Sequence, residues 1–430
     1  MGETLRKKEF FICEQLWKLL ARKPPNEPGR NSFKSLRFYL SNERERSARK
    51  QRFAEDPKQT FGDYFGPDVM VKSCNIISGG LPFLTELPVY LFIDDYSSPK
   101  ITKDLQSNLN RLILQRTPLC FFKISTESPV SYSRQDLDAK NYVEGREFFL
   151  VNVGLRFLDA DPNVKSEFIR DVFARRLRAV QNYPATELND LVGQGPDESF
   201  NDTARQIRDG SKPDYWGETT ICSLCSGDIH YVINLVGKMV NAVGGPVVIA
   251  AQDVIPKISA KSQNKAIREE AGLFLNNLRL LEHGDRLVAI VNAFGIVAHS
   301  HLKYKDSKND DGTPPCQASR IEPYDELRLN AEAQGIYDEL LRYSVFIEDM
   351  RGKSRRGKIV PRLYLRRFLI PHFNLTFSKR DSVELEAEEF SALLLNPVEF
   401  EKRHRLKEKQ LEAIEEAPPE LPTLFDEQKG

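Results

Sequence analysis

Two short apolar runs end in residues able to handle a metal ion, a water molecule and a phosphate. Val89-Tyr90-Leu91-Phe92-Ile93 runs into Asp94-Asp95, and Leu119-Cys120-Phe121-Phe122-Lys123-Ile124 runs into Ser125-Thr126. An acidic pair at the carboxyl end of a buried strand makes chemical sense where a Mg²⁺–phosphate group sits. There the metal neutralises the carboxylates, and one of them orients a water. A small hydroxyl at the end of the neighbouring strand then faces the terminal phosphate. The competing reading is local: the acids open a turn, and Asp95 caps the helix that follows Ser97-Ser98-Pro99.

The elements that must position these residues follow from periodicity. Between the two runs, Ile101, Leu105, Leu109, Leu112 and Ile113 recur at helical spacing on one face. A strand, a helix and a strand in so short a span predict a right-handed parallel crossover. That topology puts Leu91, Ile93, Phe122 and Ile124 on adjacent central strands and brings Asp94 and Ser125 to one edge of the sheet. A third strand is expected at 147–153, and helices at 10–21 and 164–182. Residues 183–220, rich in Asp, Gly, Asn and Pro, read as a boundary. Helices are expected again at 221–242, 266–298 and 323–345, a β-hairpin region at 346–380, and helices within 384–416 ahead of a loose tail.

Charge is balanced in total and segregated along the chain. The 430 residues carry 62 Lys+Arg and 62 Asp+Glu, net +0. Residues 1–60 hold 15 basic and 8 acidic residues, whereas residues 381–430 hold 6 basic and 14 acidic. The sharpest cluster is Arg351, Lys353, Arg355, Arg356, Lys358, Arg362, Arg366 and Arg367, with no acid among them. Gly352, Ser354 and Gly357 predict a turn between two extended pieces there, with Tyr364 and Phe368 as apolar anchors. Such a basic hairpin suits phosphate contacts to DNA. Its alternative is pairing with the acidic 384–401 segment of the same chain. The run Arg44, Arg46, Arg49, Lys50 and Arg52 reads as a solvated helix face.

Other candidates carry less. Cys222 and Cys225 have zinc-ligand spacing with His230 nearby, but no second C-x-x-C exists, so they read as small apolar residues at a helix start. His299 and His301 lack further ligands and read as structural. Six cysteines in 430 residues are too sparse for a disulfide scaffold, which points to a reducing cytosol. No apolar run reaches the roughly 18–20 residues of a membrane span, so no membrane partner is expected.

The segments Leu91 to Tyr96, Gln106, Leu109-Asn110-Arg111-Leu112-Ile113, Arg116 and Phe122 to Thr126 resemble the bacterial branch of origin-recognition-complex-type AAA+ ATPases. Cys225-Ser226-Gly227-Asp228-Ile229-His230 and Gly352 to Gly357 are similar to the lid and winged-helix parts of that family. The resemblance spans roughly 60–400. It implies an α/β P-loop core (1–182) incomplete at its N-terminus, a helical lid (183–260), a C-terminal winged helix (261–400) and an acidic tail (401–430). It further implies ATP and Mg²⁺ as cofactors, with Asp94 on the metal, Asp95 polarising water and Ser125 or Thr126 at sensor 1. His230 stands where a sensor 2 arginine would.

There are two departures. No G-x-x-x-x-G-K-[ST] phosphate loop occurs, and a His replaces the sensor 2 Arg. The chain therefore reads as a truncated or split product, or as a degenerate relative, with ATP hydrolysis unaided in doubt. The resemblance implies a nucleotide-dependent switch acting on DNA or on other ATPase subunits, in a mobile-element or antiphage setting. The alternative is a non-catalytic protein that binds DNA or a partner.

Overall fold

The computed structural model describes residues 2–20, 31–53, 69–84, 87–97, 100–114, 120–180, 185–195, 200–244, 257–304, 320–323, 327–349, 354–355, 358–378 and 382–404. The chain divides into two compact units, Met1–Leu150 and Val151–Gly430. The first boundary thus falls ahead of the expected 182, and the division expected near 260 lies inside the second unit. The acidic tail beyond 404 lies outside the described residues.

In the first unit, helices α1 (Gly2–Leu19), α2 (Phe33–Phe53) and α3 (Val69–Gly80) precede strand β1 (Val89–Ile93), helix α4 (Lys103–Ile113) and strand β2 (Cys120–Ile124). The run of cations from Arg44 to Arg52 falls on α2. Ile12, Cys13, Leu16, Trp17, Leu20 and Leu36 bury together and join α1 to α2. β1 and β2 are parallel, pairing Val89 with Cys120, Leu91 with Phe122 and Ile93 with Ile124. The expected strand–helix–strand crossover is present, and Ile93, Phe122 and Ile124, with Leu109 of α4, pack against a buried cluster that includes Ile113 of α4.

Two expectations fail here. The strands are not central: among the described residues the sheet has two strands. The 147–153 run forms no strand. Phe149 and Val151 are exposed, and Asn152 caps the following helix by accepting from the Leu155 N–H at 3.0 Å. A short apolar run needs an adjacent strand to become part of a ladder. Here the chain turns instead into a helix start.

The second unit is mostly helical: α5 (Val153–Asp159), α6 (Pro162–Arg178), α7 (Leu188–Val192), α8 (Phe200–Arg208), α9 (Gly217–Leu224), α10 (Ile229–Ala242), α11 (Ala260–Arg279) and α12 (Gly284–Tyr304). Two predicted helices are interrupted, 221–242 near its start and 266–298 in its middle. Gly227 (φ 102°) turns the chain between α9 and α10, and His283 (φ 55°) turns it between α11 and α12. A side chain at Gly227 would also crowd the Gly154 backbone, its Cβ 3.2 Å from that Cα.

A small sheet follows, built from β3 (Arg320–Pro323), β4 (Phe346–Asp349), β7 (Arg362–Leu365) and β8 (Val383–Leu385). Helix α13 (Ala331–Arg342) lies between β3 and β4, and α14 (Ala387–Leu395) follows β8. The strand order is β4-β7-β3-β8, with β3 antiparallel to β7 and parallel to β8. The connection from β4 to β7 carries a second, two-stranded hairpin, β5 (Ser354–Arg355) with β6 (Lys358–Ile359). The hairpin expected in 346–380 is therefore present, and the 323–345 helix shortens to 331–342.

Candidate functional site

The acidic pair and the hydroxyl meet because the parallel pairing continues past the strand ends. The Ser125 N–H donates to the Ile93 carbonyl at 2.9 Å, and the Tyr96 N–H donates to the Ser125 carbonyl at 2.8 Å. Between these two bonds the Ser125 hydroxyl donates to Asp94 Oδ1 at 2.5 Å and accepts from the Asp95 N–H at 3.0 Å. One hydroxyl therefore bridges both acids. Asp94 faces solvent, so its carboxylate is open to an incoming cation.

Asp95 is held differently. Its backbone sits at φ 63°, a left-handed conformation that Asp tolerates better than most residues but still at some cost. Its carbonyl accepts from the Ser97 N–H at 2.8 Å, which closes a tight turn, and its carboxylate is ion-paired with Lys100. The capping alternative fails, because α4 is capped by Thr102, whose hydroxyl accepts from the Leu105 N–H. Thr126 turns away from the acids. Its hydroxyl pairs with Ser97 Oγ at 3.1 Å and donates to the Ser128 carbonyl at 3.0 Å. Of the two hydroxyls read from the sequence, Ser125 is the one at the site.

Behind the acids lies a polar network that residue periodicity did not predict. Tyr96 is fully buried and donates to the Gln106 carbonyl and to Asn110 Oδ1, at 3.0 and 3.3 Å. Gln106 and Asn110 are themselves fully buried on α4, where the sequence pattern expected Leu105; that leucine is exposed instead. Gln106 Nε2 donates to the Ser131 carbonyl at 3.0 Å, and its Oε1 accepts from the Ser133 N–H at 2.6 Å. Asn110 Nδ2 donates to the Ser133 and Gln135 carbonyls, both at 2.8 Å. Two amides one helical turn apart thus clamp the segment after β2 and hold Tyr96, the residue next to Asp95.

The oxygen set fits half of a Mg²⁺–nucleotide group. Asp94, Asp95 and Ser125 offer hard oxygens of the kind Mg²⁺ takes alongside phosphate oxygens. Among the described residues no cluster of three His, Cys, Asp or Glu exists that would hold a metal alone. The G-x-x-x-x-G-K-[ST] pattern that would supply the phosphate half does not occur among these 430 residues. Bound there, Mg²⁺ would supply charge neutralisation. The chain's own part is to hold Asp94 through Ser125 and Asp95 through its turn.

The remaining sequence candidates lie in the second unit. His230 is exposed on the first turn of α10, its Nε2 2.9 Å from Asn234 Nδ2. Cys222 and Cys225 are buried at the end of α9 rather than at a helix start, and burial pushes the Cys222 thiol up to about 11. His299 is placed structurally, its Nδ1 3.3 Å from the Asn374 carbonyl oxygen.

In the basic segment, Arg355 and Lys358 pair across the β5–β6 hairpin. Arg351, Lys353 and Arg356 lie outside the described residues. Arg362 is half-buried with its Nε 2.9 Å from Glu322, which also meets Arg320. Arg366 is buried and ion-paired with Asp228 at 2.6 Å. The acids that hold these two arginines are thus Glu322 and Asp228. Of the acids in the 384–401 segment, Glu386 and Glu389 form a reciprocal cap on α14. Tyr364 and Phe368 are buried anchors, as expected.

A model of the ORC-CDC6-like family matches residues 3–212 and 196–385. The chain belongs to the ORC-CDC6-like family. Membership brings with it an AAA+ ATPase type, whose members act with ATP and Mg²⁺ and commonly with DNA in oligomers. No curated protein and no solved structure matches the chain. No helix among the described residues is long and apolar enough to cross a membrane.

Proposed function

We propose that this protein is a nucleotide-dependent switch in which Asp94 meets Mg²⁺, Asp95 polarises water and Ser125 reports the state of the terminal phosphate. The observation that carries this reading is the Ser125 hydroxyl, which bridges the Asp94 carboxylate and the Asp95 N–H. A group placed to feel a change at either acid passes it into the loop clamped by Gln106 and Asn110. No G-x-x-x-x-G-K-[ST] loop occurs among these 430 residues, so the acids meet a nucleotide whose phosphates are cradled by residues outside this sequence, for which a partner ATPase subunit is one source. A cytoplasmic, bacterial setting in a mobile-element or antiphage system accords with this reading, as do a lid around His230 and a winged helix around β4–β7.

The test is a titration of Mg²⁺ and a fluorescent ATP analogue into the full chain, with turnover measured in parallel. Weak binding, lost in Asp94→Asn, with negligible turnover is the expected result. Robust unaided turnover abolished by Asp95→Asn would overturn the view that the cradle is missing.

A second reading, a non-catalytic DNA-binding protein, is favoured by the hairpin. A two-stranded β-ribbon with Arg355 and Lys358 opposite each other is a shape that reaches phosphates. Absent nucleotide binding together with salt-sensitive duplex binding selects this reading.

A further inference from the structure

Parallel strands are almost always covered on both faces. Among the described residues the β1–β2 pair is covered on one face only. Its inner face, made of Val89, Leu91, Ile93, Cys120, Phe122 and Ile124, packs on α3 and α4. Its outer face consists of Tyr90, Phe92, Phe121 and Lys123, and there Phe92 is 75% exposed, Tyr90 47% and Phe121 43%.

The chemistry of the outer face is selective. Every apolar residue on it is aromatic, whereas all but one residue of the inner face is not. Tyr90 and Phe121 are register partners, stacked with ring centroids 5.7 Å apart. Phe92 is the register partner of Lys123. The Lys123 ammonium lies over the Tyr90 ring at 4.6 Å and near the Phe92 ring at 5.8 Å.

A face awaiting a helix is best served by branched aliphatic side chains that interdigitate. Flat rings beside a solvated cation instead suit flat ligands joined by anions. Along one face of a strand, alternate residues stand about 6.6 Å apart, so the rings offer successive stacking positions on a scale that nucleotides can follow.

We propose that this aromatic face binds single-stranded nucleic acid, with bases stacking on Tyr90, Phe121 and Phe92 and Lys123 meeting a phosphate. The face belongs to the first unit, whereas the β5–β6 hairpin belongs to the second, and the proposal does not depend on nucleotide binding at Asp94. The complementary charge is the Lys123 ammonium, already held among the rings and able to swing to a phosphate. Asp94, just beyond the end of β1, repels the backbone of the bound strand and limits the site to the span of the strands, two or three bases. Binding is tolerant of sequence, because every base offers a π face.

The experiment uses the full chain with Arg355, Arg356 and Lys358 changed to Ala, so that the hairpin does not contribute. A short fluorescein-labelled oligothymidylate is titrated by anisotropy. Phe92→Ala and Tyr90→Ala should each weaken binding by about 5- to 150-fold, the range for loss of one stacked base. Lys123→Ala should lower the slope of log affinity against log salt by about 0.7. Phe92→Leu separates the two classes of partner: it keeps apolar area and removes the flat ring, so it should weaken oligonucleotide binding nearly as much as Ala. The side chains are exposed, so the variants should fold, and circular dichroism checks this. Unchanged oligonucleotide affinity in Phe92→Ala and Tyr90→Ala overturns the proposal. So does unchanged affinity together with a lower mass by light scattering, which would assign the face to a protein partner.

Discussion

Replacing Gln106 with Leu tests whether the amide clamp on α4 holds the acidic pair in place. Gln106 is fully buried and makes side-chain bonds to the Ile101 carbonyl at 3.1 Å, the Ser131 carbonyl at 3.0 Å and the Ser133 N–H at 2.6 Å. Leu fills nearly the same volume, so little cavity forms and the loss is polar. Three net hydrogen bonds at about 1 kcal/mol each, plus about 1–2 kcal/mol for backbone groups left unpaired, sum to about 4–5 kcal/mol. Burial of the extra apolar surface offsets about 1 kcal/mol of this, which leaves about 3–4 kcal/mol. For a unit of this size each kcal/mol moves the melting temperature by about 2–4 °C, so the first unit should melt roughly 6–16 °C lower. Because the chain has two units, the melt is assigned by hydrogen exchange on peptides spanning 94–97 and 131–136. Exchange should rise in both, since Tyr96 donates to the Gln106 carbonyl and to Asn110. A melting shift under about 2 °C with unchanged exchange at 94–97 would refute the reasoning. It would mean that Asp94 and Asp95 are held by the strand pairing alone.

Burial, then the adjacent Cys120, pushes the Cys74 thiol up from 9.0 to about 12. A raised folded value means that this contribution to stability is complete below pH 9 and fades between pH 9 and about 12; Cys74→Val should flatten that decline in an alkaline urea series. Burial and the neighbouring Arg268 pull the His372 imidazole below 6.5, so the second unit should lose stability as pH falls below 6.5, and His372→Asn should reduce the loss in thermal melts. Changing Arg355, Arg356 and Lys358 to Ala should weaken binding to all duplexes alike and flatten the salt slope by about one per lost contact, measured by anisotropy at several salt concentrations. Unchanged duplex affinity would return those cations to pairing within the chain.

What the sequence disclosed, and what it hid, follows physical lines. β1, β2 and the meeting of Asp94 with Ser125 were legible because a strand–helix–strand pattern leaves one compact topology. The choice between Ser125 and Thr126 was not legible, because it depends on which hydroxyl the continuing backbone pairing turns towards Asp94. Gln106 and Asn110 escaped because periodicity counts apolar residues, and buried amides satisfied by backbone groups look like surface positions. Leu105 misled for the converse reason, since single exposed leucines are ordinary. The 147–153 strand failed because a short continuous apolar run does not specify a pairing partner. The breaks at Gly227 and His283 turn on single residues with positive φ inside otherwise helical sequence.

The segment from Cys225 to His230, which resembles the lid of the family, is fastened to Arg366 and Arg367, the two residues that follow β7. Asp228 opens α10 and holds Arg366 at the end of β7, whose guanidinium lies 4.4 Å from the Tyr231 ring centre and 4.7 Å from that of Phe274. The Arg367 N–H donates to Ser226 Oγ at 3.2 Å, and its guanidinium donates to the Ser223 and Phe377 carbonyls at 3.2 and 3.3 Å. Burial draws that guanidinium down to about 10, a cost borne only while these carbonyls stay in place. A buried cation with carbonyl partners tolerates little displacement, because each lost bond leaves charge uncompensated in a low dielectric. The turn from Cys225 to Asp228 and the base of the β4–β7 hairpin therefore shift together or not at all. Asp228→Asn should therefore raise hydrogen exchange both at the start of α10 and at the end of β7; a rise confined to one of them would refute a shared framework.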